Sequence, residues 1–178
     1  MKYVLNDSTN TSLNMNTTGD YGTVQNTSVN DSSASNQPKL MYNGTYAGTF
    51  TDNDNHICMI DGKPVIRLYS TTWCPHCRWV KATFDAFAKE YVDAGQIVAY
   101  HWEMDTKDNT LTDAVETSIP AEEMQYVSPG NPGGYVPFYV FGCEYTRVGN
   151  AYESSGDLTK EDNEFRALVE KIIVESKG

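Results

Sequence analysis

The sequence predicts a single α/β domain in which helices cover both faces of a mixed sheet. Two observations support this prediction. The β-rich run Val65–Ser70 is followed by an amphipathic helical pattern and then by a second β-rich run. Later in the chain, two short β-rich runs precede a C-terminal helical pattern. Strand–helix–strand in the first half and hairpin–helix in the second half together indicate a layered α/β sandwich.

The first 44 residues differ in composition from the rest of the 178-residue chain. Twenty of them are Ser, Thr or Asn, and their apolar residues show almost no periodicity. Such a segment cannot bury enough apolar surface to offset the entropy lost on ordering. We therefore predict a disordered tail or stalk over residues 1–44 and a folded domain over residues 45–178.

The net charge of the chain is −11, and all but −1 of it falls on the predicted domain. A surface this acidic argues against nucleic acids and anionic membranes as partners. The chain has no apolar run of 18 residues, so no transmembrane helix is predicted within it. The apolar stretch that follows Met1 is too short for a signal peptide.

The tail is rich in potential glycosylation sites. Its six Asn-x-Ser/Thr sequons begin at Asn6, Asn10, Asn16, Asn26, Asn30 and Asn43. A Ser/Thr/Asn-rich stalk with sequons favours an extracytoplasmic location, secreted or tethered in the cell envelope. We expect a signal or membrane anchor upstream of Met1. The alternative is that a segment of this composition creates sequons by chance.

The first half of the domain reads as strand, strand, helix, strand. A short apolar run at His56–Ile60 precedes the turn signal Asp61–Pro64, and Val65–Ser70 should be the central strand. Gly95 should end the following helix, and Ile97–Trp102 should form the next strand. The helix should turn one apolar stripe to the core: Cys77, Val80, Phe84, Phe87 and Tyr91.

The second half begins with a segment of weak patterning. Short helices are predicted at Leu111–Thr117 and Pro120–Val127, followed by a loop over residues 128–134. Tyr135–Phe141 and Glu144–Val148 then read as a hairpin. Thr159 with Asp162 resembles a helix N-cap pair. The C-terminal helix should bury Phe165, Leu168, Val169, Ile172 and Ile173.

The segment Trp73–Cys77 carries the candidate chemistry, because Cys74 and Cys77 stand three positions apart where the first helix should begin. Free backbone N–H groups and the positive end of the helix dipole stabilise a thiolate at such a position. A Cys74 thiolate would attack a disulfide, and Cys77 would resolve the mixed disulfide. Half of a zinc site is less favoured, because no second Cys pair has ligand spacing. Cys74, Cys77 and a histidine on zinc or copper(I) remain a further alternative.

Each residue of this segment has an expected role. Cys74 should be the more exposed, nucleophilic thiol, and Cys77 the buried resolving thiol. An imidazole at His76 would favour the thiolate and make the protein an oxidant, unless His76 is only a solvated surface residue. Pro75 suits the first turn of the helix. Trp73 should shield the site beside the substrate groove, or else belong to the core.

Cys58 and Cys143 are not spaced as a catalytic pair. In an oxidising compartment, an even number of cysteines indicates a structural disulfide between them. The alternative is two independent buried thiols.

These residues resemble the thioredoxin superfamily of disulfide oxidoreductases over roughly residues 57–175. The matching parts are Trp73–Cys77, the strand before it, and Val136–Pro137 before a late strand. The Pro-His dipeptide is similar to that of the bacterial DsbA disulfide-forming proteins, while the lead-in to Cys74 also resembles glutaredoxins. The resemblance implies a thioredoxin-like fold and a cis Val136–Pro137 peptide facing the Cys pair. It also implies that extended substrates pair with the backbone before Pro137. Without the resemblance, Pro137 would read as an ordinary strand-edge proline.

One position departs from the resemblance. Such proteins often carry a buried acid six residues before the first cysteine, where this chain has Leu68. The adjacent Arg67 should point to the opposite face of the strand. Cys77 would then exchange its proton with another group, and the sequence leaves open water, Glu103, Asp105 and Lys81.

The expected function is oxidation or isomerisation of protein disulfides through the Cys74–Cys77 pair, with no other cofactor and no metal. The partners would be unfolded or exported proteins with thiols or disulfides, together with an unknown redox partner. A thioredoxin- or glutaredoxin-type reductase is the first alternative. A redox-inactive binding or chaperone module is the second.

Overall fold

The computed structural model describes residues 48–53 and 56–178, so the predicted tail and its boundary at residues 44 and 45 lie outside the described residues. The strands are β1 (Thr51–Asp52), β2 (Met59–Ile60), β3 (Lys63–Ser70), β4 (Val98–Glu103), β5 (Asp108–Asn109), β6 (Phe138–Phe141) and β7 (Tyr145–Val148). The helices are α1 (Pro75–Asp93), α2 (Ala121–Met124), α3 (Val127–Gly130) and α4 (Leu158–Glu175), with a 3-10 turn at Glu153–Ser155. No helix in this described part is long and apolar enough to cross a membrane.

The strands form one mixed sheet in the order β1-β7-β6-β3-β4-β5, with β2 paired to β3. The β3–β4 pair is parallel, and the remaining pairs are antiparallel. β2 and β3 are joined by the two-residue turn Asp61–Gly62, whose φ angles of 50° and 73° suit a hairpin turn that follows the twist of the strands. The predicted α/β fold is therefore confirmed, and the parallel β3–β4 pair brings the ends of two strands to the start of α1.

Helices α1 and α4 cover one face of the sheet and share its main core. All five predicted positions of α1 are buried, and so are all five of α4. Gly95, at φ 69°, follows the last turn of α1 as predicted. The aromatic centre of this core consists of Phe84, Phe87, Tyr139, Phe141 and Phe165.

The second face of the sheet is covered by the segment between β4 and β6, which includes α2 and α3. Its smaller core contains Tyr69, Trp102, Phe138 and Val140. Arg67 also lies on this face, as predicted, but it is only 2% exposed. Its guanidinium pairs with both carboxylate oxygens of Glu123, at 2.6 and 2.9 Å, and stacks 4.0 Å from the ring centre of Tyr126.

Three local predictions are wrong. Residues 111–117 form turns rather than a helix, and the helix predicted over Pro120–Val127 is divided into α2 and α3, so that a helical turn enters the predicted loop. The N-cap of α4 is Asp157, whose side chain accepts a hydrogen bond from the Lys160 backbone, and not Thr159. Asp157 has the residue type that an N-cap favours, but Thr159 offered an equivalent pattern two positions later.

We expect Glu123→Gln to lower the free energy of unfolding by about 3 kcal/mol, because Arg67 would stay buried without a compensating charge. Denaturant-induced unfolding measures this change. Glu122→Gln is the matched control, because Glu122 is the exposed neighbour on the same helix, and it should change stability by less than about 0.5 kcal/mol. Equal losses in the two variants would contradict a stabilising role for the buried pair.

Candidate active site

Cys74 and Cys77 lie where β3 passes into α1. Cys74 is the N-cap of α1, with extended backbone angles (φ −71°, ψ 121°), and its carbonyl oxygen accepts the first helical hydrogen bond, from Arg78. Pro75 follows in the first turn, where its missing N–H costs no hydrogen bond. Cys77 lies one turn further along, and both cysteines are free thiols that hydrogen-bond to each other. This spacing allows the two sulfurs to form a disulfide with each other.

The Val136–Pro137 peptide bond is cis, and it faces Cys74. The Cys74 thiol donates a hydrogen bond to the Val136 carbonyl oxygen over 3.6 Å. An open groove of about 580 Å³ lies between this peptide, the first turn of α1 and the segment after β7. Its lining residues are His76, Val136, Pro137, Gly149, Asn150, Glu153 and Ser154.

Two aromatic side chains next to the site residues in sequence are exposed to solvent. Trp73 and Tyr135 are each 67% exposed, and they directly precede Cys74 and the Val136–Pro137 peptide. Trp73 is therefore not part of the core. Tyr135 was not singled out from the sequence, because its strand pattern made it look like an ordinary β residue. Such exposed aromatic surface is suited to contacts with a bound chain.

Both thiols are buried, so the expected contrast in their exposure is absent. Cys74 is 4% exposed and Cys77 is 3% exposed. The pKa of Cys77 is raised from 9.0 to about 12, mainly by burial. A backbone hydrogen bond from Thr71 opposes the shift, and the hydrogen bond and charge of Cys74 add to it. The raised pKa keeps Cys77 protonated at neutral pH, so its proton must be removed before the sulfur attacks a disulfide.

Burial, the largest cause of this raised pKa, persists in a Cys74→Ala variant, so Cys77 should be alkylated slowly there. A thiol with a pKa near 12 is ionised far less at pH 8 than an ordinary cysteine, so its rate should be at least about 100-fold below that of an exposed thiol. The rate should rise about tenfold per pH unit between pH 7 and 10, because the thiolate is the reactive form. Iodoacetamide labelling followed by mass spectrometry measures it. A fast rate that levels off below pH 9 would contradict the raised pKa.

His76 lines the groove, where its imidazole is paired with Glu153. Its Nδ1 atom lies 2.9 Å from each carboxylate oxygen of Glu153, and its side chain is 61% exposed. Asn150 donates hydrogen bonds to the His76 carbonyl oxygen and to Glu153, which joins the first turn of α1 to the loop after β7. An effect of His76 on Cys74 would therefore act through the electrostatic field rather than by direct contact.

A second pocket, of about 320 Å³, lies on the inner side of Cys77. Lys81 and Glu103 line this pocket and form a 2.6 Å ion pair with each other. Both are among the groups that the sequence left open for proton exchange with Cys77. The third, Asp105, instead accepts hydrogen bonds from the backbone and hydroxyl of Thr72. Burial raises the pKa of Asp105, but these hydrogen bonds outweigh it and lower the pKa overall. Asp105 is thus committed to holding the turn before Cys74.

Sequence reasoning missed three polar residues close to this pocket. Ser70 ends β3, its hydroxyl lies 2.7 Å from His101 Nε2, and Nδ1 of the same imidazole hydrogen-bonds to Asp85. Leu68 is fully buried and is the register partner of His101 on the parallel strand β4. Only the strand register brings these residues together, so no local motif in the sequence marked them.

Cys58 and Cys143 form a disulfide whose Cα atoms are 5.5 Å apart. It joins the segment before β2 to the turn between β6 and β7. Nη1 of Arg67 lies 3.5 and 3.6 Å from the two sulfurs, so the bridge packs against the buried ion pair on the second face of the sheet. Its position, away from the groove that faces Cys74, is that of a structural cross-link.

Within residues 48–53 and 56–178, no group of three or more His, Cys, Asp or Glu side chains is arranged to hold a metal ion.

A thiol pair at a helix start facing a cis-proline, on a mixed α/β sheet, defines a class of thiol–disulfide exchange sites. The family model described as Thioredoxin matches residues 48–126, a range that includes Cys74 and Cys77 but not Val136–Pro137. This part of the chain is therefore similar to a thioredoxin-family domain. Proteins of this family are generally thiol–disulfide oxidoreductases, which indicates thiol–disulfide redox chemistry here. Comparison with curated proteins and with solved structures found no match.

Proposed function

We propose that this chain is a thiol–disulfide oxidoreductase that donates the Cys74–Cys77 disulfide to exported proteins, as an oxidase or isomerase. The observation that carries the proposal is the Cys74 thiol, held at the start of α1 and hydrogen-bonded to the carbonyl oxygen that precedes the cis-proline. That arrangement supplies an ionisable sulfur and an extended backbone edge in one place.

The reaction follows from this geometry. A substrate thiolate attacks Cys74 of the disulfide, forms a mixed disulfide, and displaces Cys77, which takes up a proton. A second substrate thiolate then attacks the substrate sulfur of the mixed disulfide and releases Cys74 as a thiolate. The backbone at Val136 pairs with the extended substrate. A redox partner with a more oxidising disulfide or quinone returns Cys74–Cys77 to the disulfide.

Two features support the oxidising direction. His76, when protonated, contributes positive charge to the first turn of α1, which stabilises a Cys74 thiolate and therefore the reduced form of the pair. The sequon-rich composition of residues 1–44 and the Cys58–Cys143 disulfide both suit an oxidising, extracytoplasmic compartment. We propose that location for the chain.

A reductase of the thioredoxin type is the second candidate, and one contact favours it. Glu153 pairs with His76, so its negative charge offsets the positive charge that would stabilise the thiolate. Less stabilisation of the reduced form makes a weaker oxidant.

The redox potential of the Cys74–Cys77 pair separates these functions. We expect a value above about −200 mV, in the range of isomerases and oxidases, from equilibration with glutathione buffers. We also expect His76→Ala to lower it by about 30 mV or more, a tenfold change in the equilibrium constant. His56→Ala, at an exposed histidine outside the groove, should leave it unchanged. A wild-type potential near the thioredoxin value of about −270 mV would assign the reductase function instead.

A further inference from the structure

Ser70, His101 and Asp85 form a hydrogen-bonded chain directly behind the active site. Ser70 Oγ lies 2.7 Å from His101 Nε2, and His101 Nδ1 bonds to Asp85 Oδ1. His101 is completely buried and Ser70 is 2% exposed, whereas the Asp85 side chain is 25% exposed. A serine hydroxyl, an imidazole and a carboxylate in this order can pass a proton and stabilise the resulting imidazolium.

Ser70, at one end of this hydrogen-bonded chain, shares a pocket with Cys77. Ser70, Thr71 and Cys77 line the same pocket of about 320 Å³, which is large enough for several water molecules. The Thr71 backbone hydrogen-bonds to the Cys77 sulfur, so this sulfur lies beside the residue that follows Ser70. Among the described residues, the buried Thr71 hydroxyl has no hydrogen-bond partner in the protein.

The geometry points to Ser70–His101–Asp85 as the route by which the Cys77 thiol gives up and regains its proton during disulfide exchange. This inference rests on the proposed function. It concerns a place in the structure where a buried acid is missing, because Leu68, the register partner of His101, is apolar. The carboxylate of the Ser70–His101–Asp85 series comes instead from α1, where Asp85 bonds to the imidazole of His101.

The proton transfer balances in both directions. When a mixed disulfide on Cys74 is resolved, the Cys77 proton moves to Ser70 Oγ, directly or through one water, while the Ser70 hydroxyl proton moves to His101 Nε2. The Cys77 thiolate attacks Cys74, a new S–S bond forms, the mixed disulfide breaks, and the substrate leaves as a thiolate. In the oxidising direction, the displaced Cys77 thiolate regains its proton by the reverse path.

Ser70 lines the pocket beside Cys77 and not the groove that faces Cys74, so we assign it no attack on a substrate. Other titratable groups surround the same pocket. Lys81, Arg78 and Glu103 line it, and Cys74, Asp105 and Tyr139 interact electrostatically with Cys77. Of these, Glu103 is the rival proton acceptor, so the test must separate it from Ser70.

The test uses the full chain in its reduced form and an aromatic disulfide probe whose released thiolate is coloured. The first equivalent is released when Cys74 attacks, and the second when Cys77 closes the ring. At pH 7 we expect Ser70→Ala to slow the second phase at least tenfold and to leave the first within twofold. The second phase of the variant should also rise more steeply with pH than that of the wild type. Ser70→Thr should restore the rate, and the exposed Ser118→Ala should match the wild type.

Asp85→Asn provides a second variant if Ser70→Ala does not fold, and it should slow the second phase at least fivefold. An unchanged second phase in both variants would overturn the route, as would equal slowing of both phases or failure of Ser70→Thr to restore the rate. Slowing in Glu103→Gln but not in Ser70→Ala would assign the proton to Glu103 instead. If the wild type released no coloured thiolate at all, the proposed function would fail, and this inference with it.

Discussion

Replacing Cys74 with alanine should abolish thiol–disulfide exchange, with a loss of at least about 10³-fold. Cys74 is the sulfur at the helix start that faces the cis-proline, whereas the raised pKa of Cys77 keeps that thiol protonated. No other free thiol is present among the described residues to replace it. Turnover of a reduced, unfolded protein with paired cysteines, followed by gel mobility after alkylation, measures the loss.

Cys77→Ala should behave differently, because it keeps the nucleophile and lacks the resolving thiol. This variant should retain the first step and accumulate mixed disulfides between Cys74 and its substrates, visible on non-reducing gels and identifiable by mass spectrometry. Full activity in Cys74→Ala would contradict the assignment of the nucleophile. Inactivity of the wild type, with binding of unfolded protein equal in all three proteins, would favour the redox-inactive binding module.

Removing the Cys58–Cys143 disulfide has the second largest expected effect. The bridge closes a separation of 85 residues, so in the chain-entropy model its loss should lower the free energy of unfolding by about 4.5 kcal/mol. The double variant Cys58→Ala/Cys143→Ala removes the bridge without leaving a reactive thiol. Denaturant unfolding without reductant, with and without the bridge and both in a Cys74→Ala/Cys77→Ala background, measures the difference.

The single variant Cys143→Ala is a useful comparison, because it also opens the bridge but leaves Cys58 free. Its stability should fall by a similar amount, since either change releases the same loop. A loss below about 1 kcal/mol in the double variant would contradict a stabilising role for the bridge. Retained exchange activity in the folded fraction would show that Cys74 and Cys77 work independently of it.

Local patterns in the sequence were sufficient for most of the fold. The stripes of α1 and α4 are both buried as their spacing predicts, because a helix that packs on a sheet must turn one apolar face inward. The strand signals of β3, β4, β6 and β7 also place those strands within a few residues of their bounds. By contrast, β1 was missed, since two residues carry no periodicity, although Phe50 beside it packs against Phe141 at 4.9 Å.

The segment between β4 and β6 resisted prediction because long-range contacts determine its structure. Glu123 lies 56 positions from Arg67, and their pairing fixes α2 on the sheet. An Arg in a strand and a Glu in a weakly patterned segment give no local sign of that contact. The short helices and turns here follow from what they cover rather than from their own propensities.

In the candidate site, too, local motifs were predictable and long-range contacts were not. The motif at Trp73–Cys77 and the Val136–Pro137 dipeptide indicated a Cys pair and a facing proline. In the structure, the Cys74 sulfur lies 3.6 Å from the Val136 carbonyl oxygen. The partner of His76 is 77 positions away, and the Ser70–His101 contact spans 31 positions. Such pairs depend on strand order and loop path, so only the folded chain reveals them.

Reversible closure of the Cys74–Cys77 bond tests the central claim most directly. The full chain would be equilibrated across a series of glutathione buffers, quenched with acid, alkylated, and analysed by peptide mass spectrometry. We predict that these two residues lose alkylation together in one two-electron transition, while Cys58 and Cys143 remain bonded to each other throughout. Two thiols that stay alkylatable under every buffer, or that form bonds only with glutathione or other chains, would contradict it.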